Sequence, residues 1–213
     1  MLFDFATMKE RDIYKLLVST VVPRPIAWVV TRDLNGTLNA APFSFFNVLS
    51  SDPPLVAIGI GGHSPGDVKD TGGNIRRHGQ FTVCLVDAAR AEAMNVTAVE
   101  FGPEVDEIAE AGLTVAPSTR IDVPRIAESP VALECERFAT LEVSDQRALV
   151  LGRVVAMHIR DDCVMDPARA YVDTAKLDLI GRMAGAGGYT YTREQFQMPR
   201  MTPAQWAERK AGG

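Results

Sequence analysis

Cysteine, histidine and clustered basic charge are all scarce in this chain. Its three cysteines, Cys84, Cys135 and Cys163, stand far apart with no Cys-x-x-Cys spacing, which fits neither a disulfide framework nor a cysteine zinc site. Cys84 and Cys135 lie in β-rich stretches and read as small buried strand residues. The histidines His63, His78 and His158 lack the spacing of a ligand set, so no metal site is expected. The formal net charge is −5 and the basic residues are scattered, which argues against nucleic acid as a partner. No apolar run reaches the roughly 18 to 20 residues that a membrane span needs, and Met1 to Asp12 carries charges where a signal peptide is apolar. A cytoplasmic chain with no membrane contact is the expectation. Nucleotide fingerprints are missing too: Gly59-Ile-Gly61 is followed by Ser64 where a third glycine should fall, and no Walker-type loop occurs.

What is present is globular. The 213 residues, 46% hydrophobic and 23% charged, suit a single domain over 1–213 with a genuine core. Thr7-Met-Lys-Glu10 has the form of a capping box, and Ile13, Leu16 and Leu17 follow at helical spacing. The spacing predicts a short opening helix that Pro23-Arg-Pro25 stops. Ile26 to Thr31 is β-rich and ends at Asn35-Gly36, a hairpin signal, so Leu38 to Val48 should pair antiparallel with it. Ser51-Asp-Pro-Pro54 interrupts the pattern before a third strand, Leu55 to Ile60. A short helix over about Thr71 to His78 with Gly79 as its C-terminal cap leads to a fourth strand, Phe81 to Val86. Gly102 to Gly112, with Pro103 at its first turn and acidic residues after it, predicts a further helix. Val131 to Val143 and Leu149 to Ile159 form two last strands, and a polar, Gly-rich arm runs from about Leu179. About six strands with antiparallel neighbours and few helices point to a mainly β, closed antiparallel barrel rather than a doubly wound sheet.

Two stretches could carry chemistry. Lys69-Asp70-Thr71 sets a cation and a hydroxyl at the start of a predicted helix, where free N–H groups and the dipole favour a phosphate; Asp70 or Thr71 acting merely as a cap is the alternative. Asn39-Ala-Ala-Pro-Phe-Ser-Phe-Phe-Asn47 mixes small residues, a proline and polar side chains. Pro42 cannot donate to a ladder, so this strand must lie at an edge or open locally. The freed backbone groups could face a planar heterocycle, with Ser44 and Asn47 adding bonds. An irregular edge strand whose Phe43, Phe45 and Phe46 divide between core and surface reads as well from pattern alone.

Pro23-Arg-Pro-Ile-Ala-Trp-Val-Val-Thr31, Asn39 to Asn47, Ser51-Asp-Pro-Pro54 and Lys69-Asp-Thr71 together resemble the flavin reductase-like, FMN-binding family that includes flavoredoxins. Pro124 to Cys135, Leu151-Gly-Arg-Val-Val155 and Ile180-Gly-Arg-Met-Ala-Gly185 with Gly188-Tyr189 extend the similarity over about residues 10 to 200. The resemblance implies a six-stranded Greek-key split barrel, a homodimer, and FMN near the dimer interface. It also implies reduction of flavin by NADH or NADPH, with the product passed to a partner monooxygenase or another acceptor. By that resemblance Ala41, Pro42, Phe43, Ser44, Phe45, Phe46 and Asn47 line the isoalloxazine, with Trp28 beside it. Lys69, Asp70 and Thr71 would meet the phosphate, and Arg182 and Tyr189 would come from the other subunit. Gly72-Gly73 departs from the family's helix formers and predicts a late or frayed helix start. The flavin does the chemistry in such a protein, so no catalytic acid or base is expected in the sequence. An FMN electron carrier, and a split-barrel module that binds no flavin, share these features.

Overall fold

The computed structural model describes residues 1–61, 70–102, 105–145, 147–185 and 187–211, with Asp70 described by its backbone alone. After helix α1 (Glu10–Thr20) come strands β1 (Ala27–Arg32), β2 (Leu38–Phe43), β3 (Phe46–Ser51) and β4 (Pro54–Gly61). Helix α2 (Asp70–His78) leads to β5 (Gln80–Cys84), helices α3 (Ala91–Val96) and α4 (Glu107–Glu110), and a small ladder of β6 (Val115–Ala116) with β7 (Arg125–Ile126). The long hairpin of β8 (Val131–Ser144) and β9 (Arg147–Ile159) follows. Two short ribbons, β10 (Val164–Asp166) with β11 (Tyr171–Val172) and β12 (Ile180–Arg182) with β13 (Tyr189–Tyr191), precede helix α5 (Pro203–Ala211).

One seven-stranded sheet organises the molecule, in the order β2-β1-β5-β8-β9-β4-β3, and all of its ladders are antiparallel. The sheet has seven strands rather than six because the stretch expected as one strand divides at Ser44 and Phe45 into β2 and β3. These two strands are neighbours in sequence, yet they form opposite ends of the strand order. Pro42 therefore sits on an edge strand, where its missing N–H costs no interior ladder bond. The β1–β2 hairpin forms where Asn-Gly predicts it: Gly36 takes φ +95°, and the Asp33 carboxylate accepts from the backbone N–H groups of Asn35 and Thr37 at 2.8 and 2.7 Å.

Three expectations are corrected. Thr7 lies in a 3-10 turn, Phe5–Thr7, and donates its hydroxyl to the Asp4 carbonyl, so the capping box does not form and Lys9 precedes α1 with no side-chain cap. Of the helix expected over Gly102 to Gly112 only Glu107–Glu110 is helical, capped by Asp106 through the N–H groups of Ile108 and Ala109; Pro103 and Glu104 lie outside the described residues. Helix α2 starts at Asp70 and runs through Gly72-Gly73 without a late start, because its next turns are buried against the sheet. Its end is as expected, with Gly79 at φ +76° donating to the Ile75 carbonyl at 3.0 Å.

Apolar side chains alternate along β1 and fill both faces of the sheet. Ala27 and Val29 join Phe43, Phe46, Ile58, Phe81 and Val150 in one core, while Trp28 and Val30 join Met94, Ile108, Ile126 and Ile180 in a second. All three cysteines are free and buried, and burial pushes the Cys84 thiol up to about 11, which leaves it inert. No helix among the described residues is long and apolar enough to cross a membrane.

Candidate functional site

The break between β2 and β3 opens a cleft of about 310 Å³, lined by Leu17 and Val21 of α1, Pro23-Arg24-Pro25, and Ser44, Phe45, Phe46 and Asn47. Its walls are mostly apolar, with three polar groups in the lining. Arg24 is 6% exposed. Its guanidinium donates to the carbonyls of Val18 (2.6 Å), Val21 (3.0 Å) and Ala184 (3.3 Å), and its Nε–H to Ser44 Oγ at 3.3 Å. Ser44 accepts that bond and keeps its own hydroxyl proton to donate elsewhere. The Asn47 side-chain oxygen accepts from the Val48 N–H at 2.8 Å, which turns its amide nitrogen outward from the backbone. The Phe45 carbonyl accepts from the Gly59 N–H at 2.7 Å, and its ring lies 6.3 Å from that of Tyr14. These contacts pin the loop that the ladder leaves unpaired.

A second pocket of about 160 Å³ lies beside the later turns of α2, between Asp33, Thr37, Asn39, Asn74, Arg77 and Glu107. Thr71, in the first turn of α2, is buried and donates its hydroxyl to Asn39 Oδ1 at 2.9 Å. Asn39 in turn donates to Glu107 Oε1 at 2.8 Å, and Glu107 Oε2 accepts from the Ala40 N–H at 3.3 Å. This chain ties α2, β2 and α4 together.

The structure brings Ser44, Phe45, Phe46 and Asn47 together in the first cleft, and Phe46 also reaches the core. Ala41 packs against that core and Phe43 is buried in it, while Pro42 is half-buried at the edge. Trp28 is elsewhere: its side chain is wholly buried in the second core, and its indole N–H donates to Thr97 Oγ1 at 2.8 Å. The parity of β1 sends it to the face away from Val29 and Phe43, so the ring does not open on the cleft. Thr71 belongs to the second pocket's network, Asp70 opens α2, and Lys69 lies outside the described residues. Arg182 stacks on Tyr189 at 4.7 Å and donates to the Gly185 carbonyl. Both sit on the β12–β13 ribbon, which docks on its own chain through the paired backbone bonds of Arg182 with Arg24 (2.8 and 3.0 Å). Sequence reasoning missed Arg24 as a site residue; its place between two prolines was the signal, since both neighbours lack N–H donors and favour an irregular, non-helical path.

Residues 18–175 match the model of the flavin reductase like domain. The chain belongs to that family. An uncharacterized protein of Deinococcus radiodurans is 45% identical over 210 residues, spanning 97% of this chain and 92% of the relative. The crystal structure of nitrilotriacetate monooxygenase component B from Bacillus cereus superposes with a TM-score of 0.86 at 32% identity, over 93% of this chain and 98% of that one. The 2-nitrobenzoate 2-nitroreductase of Pseudomonas fluorescens gives a TM-score of 0.88 at 33% identity, over 95% and 98% of the two chains.

Proposed function

We propose that the chain binds FMN at the β2–β3 break and reduces it with NADH or NADPH, handing the electrons to a partner monooxygenase or another acceptor. The observation that carries this reading is the cleft itself. Ser44 and Phe45 stand off the ladder and, with Phe46 and Asn47 at the start of β3, line the cleft beside apolar walls and a buried guanidinium. A flat heterocycle with an apolar body and one polar edge fits that donor set: the Ser44 hydroxyl and the Asn47 amide nitrogen both donate, and carbonyls on the pyrimidine side of the ring accept. FMN supplies the hydride-accepting chemistry when bound, and the protein supplies position and electrostatics. Arg24 holds Ser44 in place, α1 and the prolines exclude water from one side of the cleft, and Asn47 orients the ring's edge. The similarity to a monooxygenase component supports a partner enzyme as the electron acceptor.

In this reading Lys69 and the start of α2 take the phosphate. A second copy of the chain covers the outer half of β8, where Phe138, Leu141 and Val143 are exposed, giving a homodimer. Absorbance of the purified protein titrated with FMN tests the binding, and bleaching of the bound flavin by each nicotinamide tests the reduction. FMN affinity without any bleaching would leave an electron carrier in place of a reductase. Lys69→Ala should weaken FMN by roughly 10- to 150-fold, the loss of one charge-assisted bond of about 1.5 to 3 kcal/mol, and leave riboflavin unchanged. Equal weakening of both ligands would remove Lys69 from the phosphate site.

A further inference from the structure

Arg24 is the only Lys or Arg among the described residues with a buried side chain, and no carboxylate pairs with it there. A buried cation is costly unless an anion or a set of dipoles offsets it. Here carbonyls at the C-terminal end of α1 offer part of that compensation. They bring no net negative charge. Arg182, joined to Arg24 by the two backbone bonds, adds a second guanidinium that has no carboxylate partner among the described residues. Burial lowers the Arg24 pKa, with Tyr14 acting to raise it and Arg182 to lower it further. Four of the five guanidinium N–H donors are already engaged by Ser44 and the three carbonyls. The group is thus held in place to act through its field, and through the Ser44 hydroxyl that its Nε–H polarises.

We propose that Arg24 is the positioning residue that sets the electrostatics of the flavin site, favouring the reduced ring over the oxidised one. This rests on the flavin reading above. Hydride transfer from a dihydronicotinamide breaks one C–H bond, forms one N–H bond on the ring, and leaves the ring with one added negative charge. A fixed positive charge behind Ser44 stabilises that product more than the neutral starting ring, which is the condition for accelerating its formation. The Arg24 charge, which dipoles offset only in part, gains a counter-ion in the reduced ring.

The test compares wild type, Arg24→Gln and Arg24→Lys by thermal melting, by FMN affinity in both redox states, and by the midpoint potential of the bound flavin. Arg24→Gln should bind oxidised FMN within a few-fold of wild type and reduced FMN roughly tenfold more weakly, the scale of one nearby charge in a partly buried site. Tenfold corresponds to a fall of about 30 mV for a two-electron couple. Arg24→Lys, which keeps the charge, should stay near wild type. A lower melting temperature with an unchanged potential in Arg24→Gln would reduce Arg24 to a helix cap and overturn the proposal. If Arg24→Gln does not fold, wild type alone decides: the reduced ring should take up its second proton at a pH at least one unit below that of free FMN, and an unshifted value overturns the role. Wild type with no affinity for FMN overturns the flavin reading itself, whereas FMN binding without these shifts overturns the Arg24 role alone.

Discussion

Gly152 offers a sharp test of how the core is built. It lies on β9 opposite Val56 of β4 and Arg137 of β8, and the Phe81 ring reaches across from β5 to lie over its Cα. A Cβ at this position would fall well inside van der Waals contact of Phe81 Cζ and within 3.3 Å of both Cε atoms. Carbon atoms rest at about 3.5 to 4.0 Å from one another. Phe81 is fully buried, packed within the first core. Neither it nor the sheet backbone can retreat by an ångström without displacing neighbours, so Gly152→Ala should cost about 1–3 kcal/mol through overpacking. At roughly 2–4 °C per kcal/mol for a domain of this size, the melting temperature should drop by about 2–12 °C. Gly61→Ala is the control, since nothing lies within 4 Å of its added Cβ. Phe81→Leu should recover part of the loss in a double-mutant cycle, because the two sites share one contact. A Gly152→Ala protein that melts at or above wild type would refute this account of the packing.

Thr97→Val should cost about 1–3 kcal/mol by denaturant unfolding, because the buried Trp28 N–H would lose its acceptor; an unchanged midpoint would contradict it. Burial raises the Glu134 pKa, but the N–H groups of Thr119 and Arg120 and the His158 ring outweigh it and hold the carboxyl below its usual range. Its contribution is therefore present above the unfolded pKa of about 4.3 and lost as pH falls through the lower folded value. Glu134→Gln should lose about 1.5–3 kcal/mol at neutral pH and approach wild type in acid; a gap that stays constant with pH would argue against a charged Glu134. Leu141→Lys, at a residue 61% exposed on the outer half of β8, should shift the light-scattering mass from about twice the 23.1 kDa chain to a single chain. A wild type that is already a monomer would remove the homodimer.

Much of the sheet was legible because its turns are signalled locally. Asn35-Gly36 turns the first hairpin and Gly79 ends α2 as the sequence predicts. Pro42 signalled an edge or a local opening, but not that the break falls at Ser44-Phe45, which remote groups, Gly59 and Tyr14, pin. The four residues of the cleft were identified from their composition and the resemblance, whereas the buried Arg24 depends on α1 and residue 184 closing over it. Trp28 is buried on the face of β1 away from Val29 and Phe43, which alternation alone does not decide because β1 is apolar on both faces. The helix at Gly102 to Gly112 had good end signals, but Asp106 takes the N-cap position through the N–H groups of Ile108 and Ala109, so the helix starts at Glu107.

The strand order has a geometric consequence for shape. Laid flat, seven strands at about 4.8 Å spacing would hold β2 and β3 nearly 29 Å apart. The covalent path from Phe43 to Phe46 spans three Cα steps, at most about 11 Å. The sheet must therefore roll up until its ends meet, whatever the side chains inside it prefer. A ring closed by covalent bonds, with no ladder across the seam, keeps its curvature fixed while the seam itself stays open to solvent. Insertions between Ser44 and Phe45 would lengthen that tether, let the roll relax, and widen the cleft in proportion.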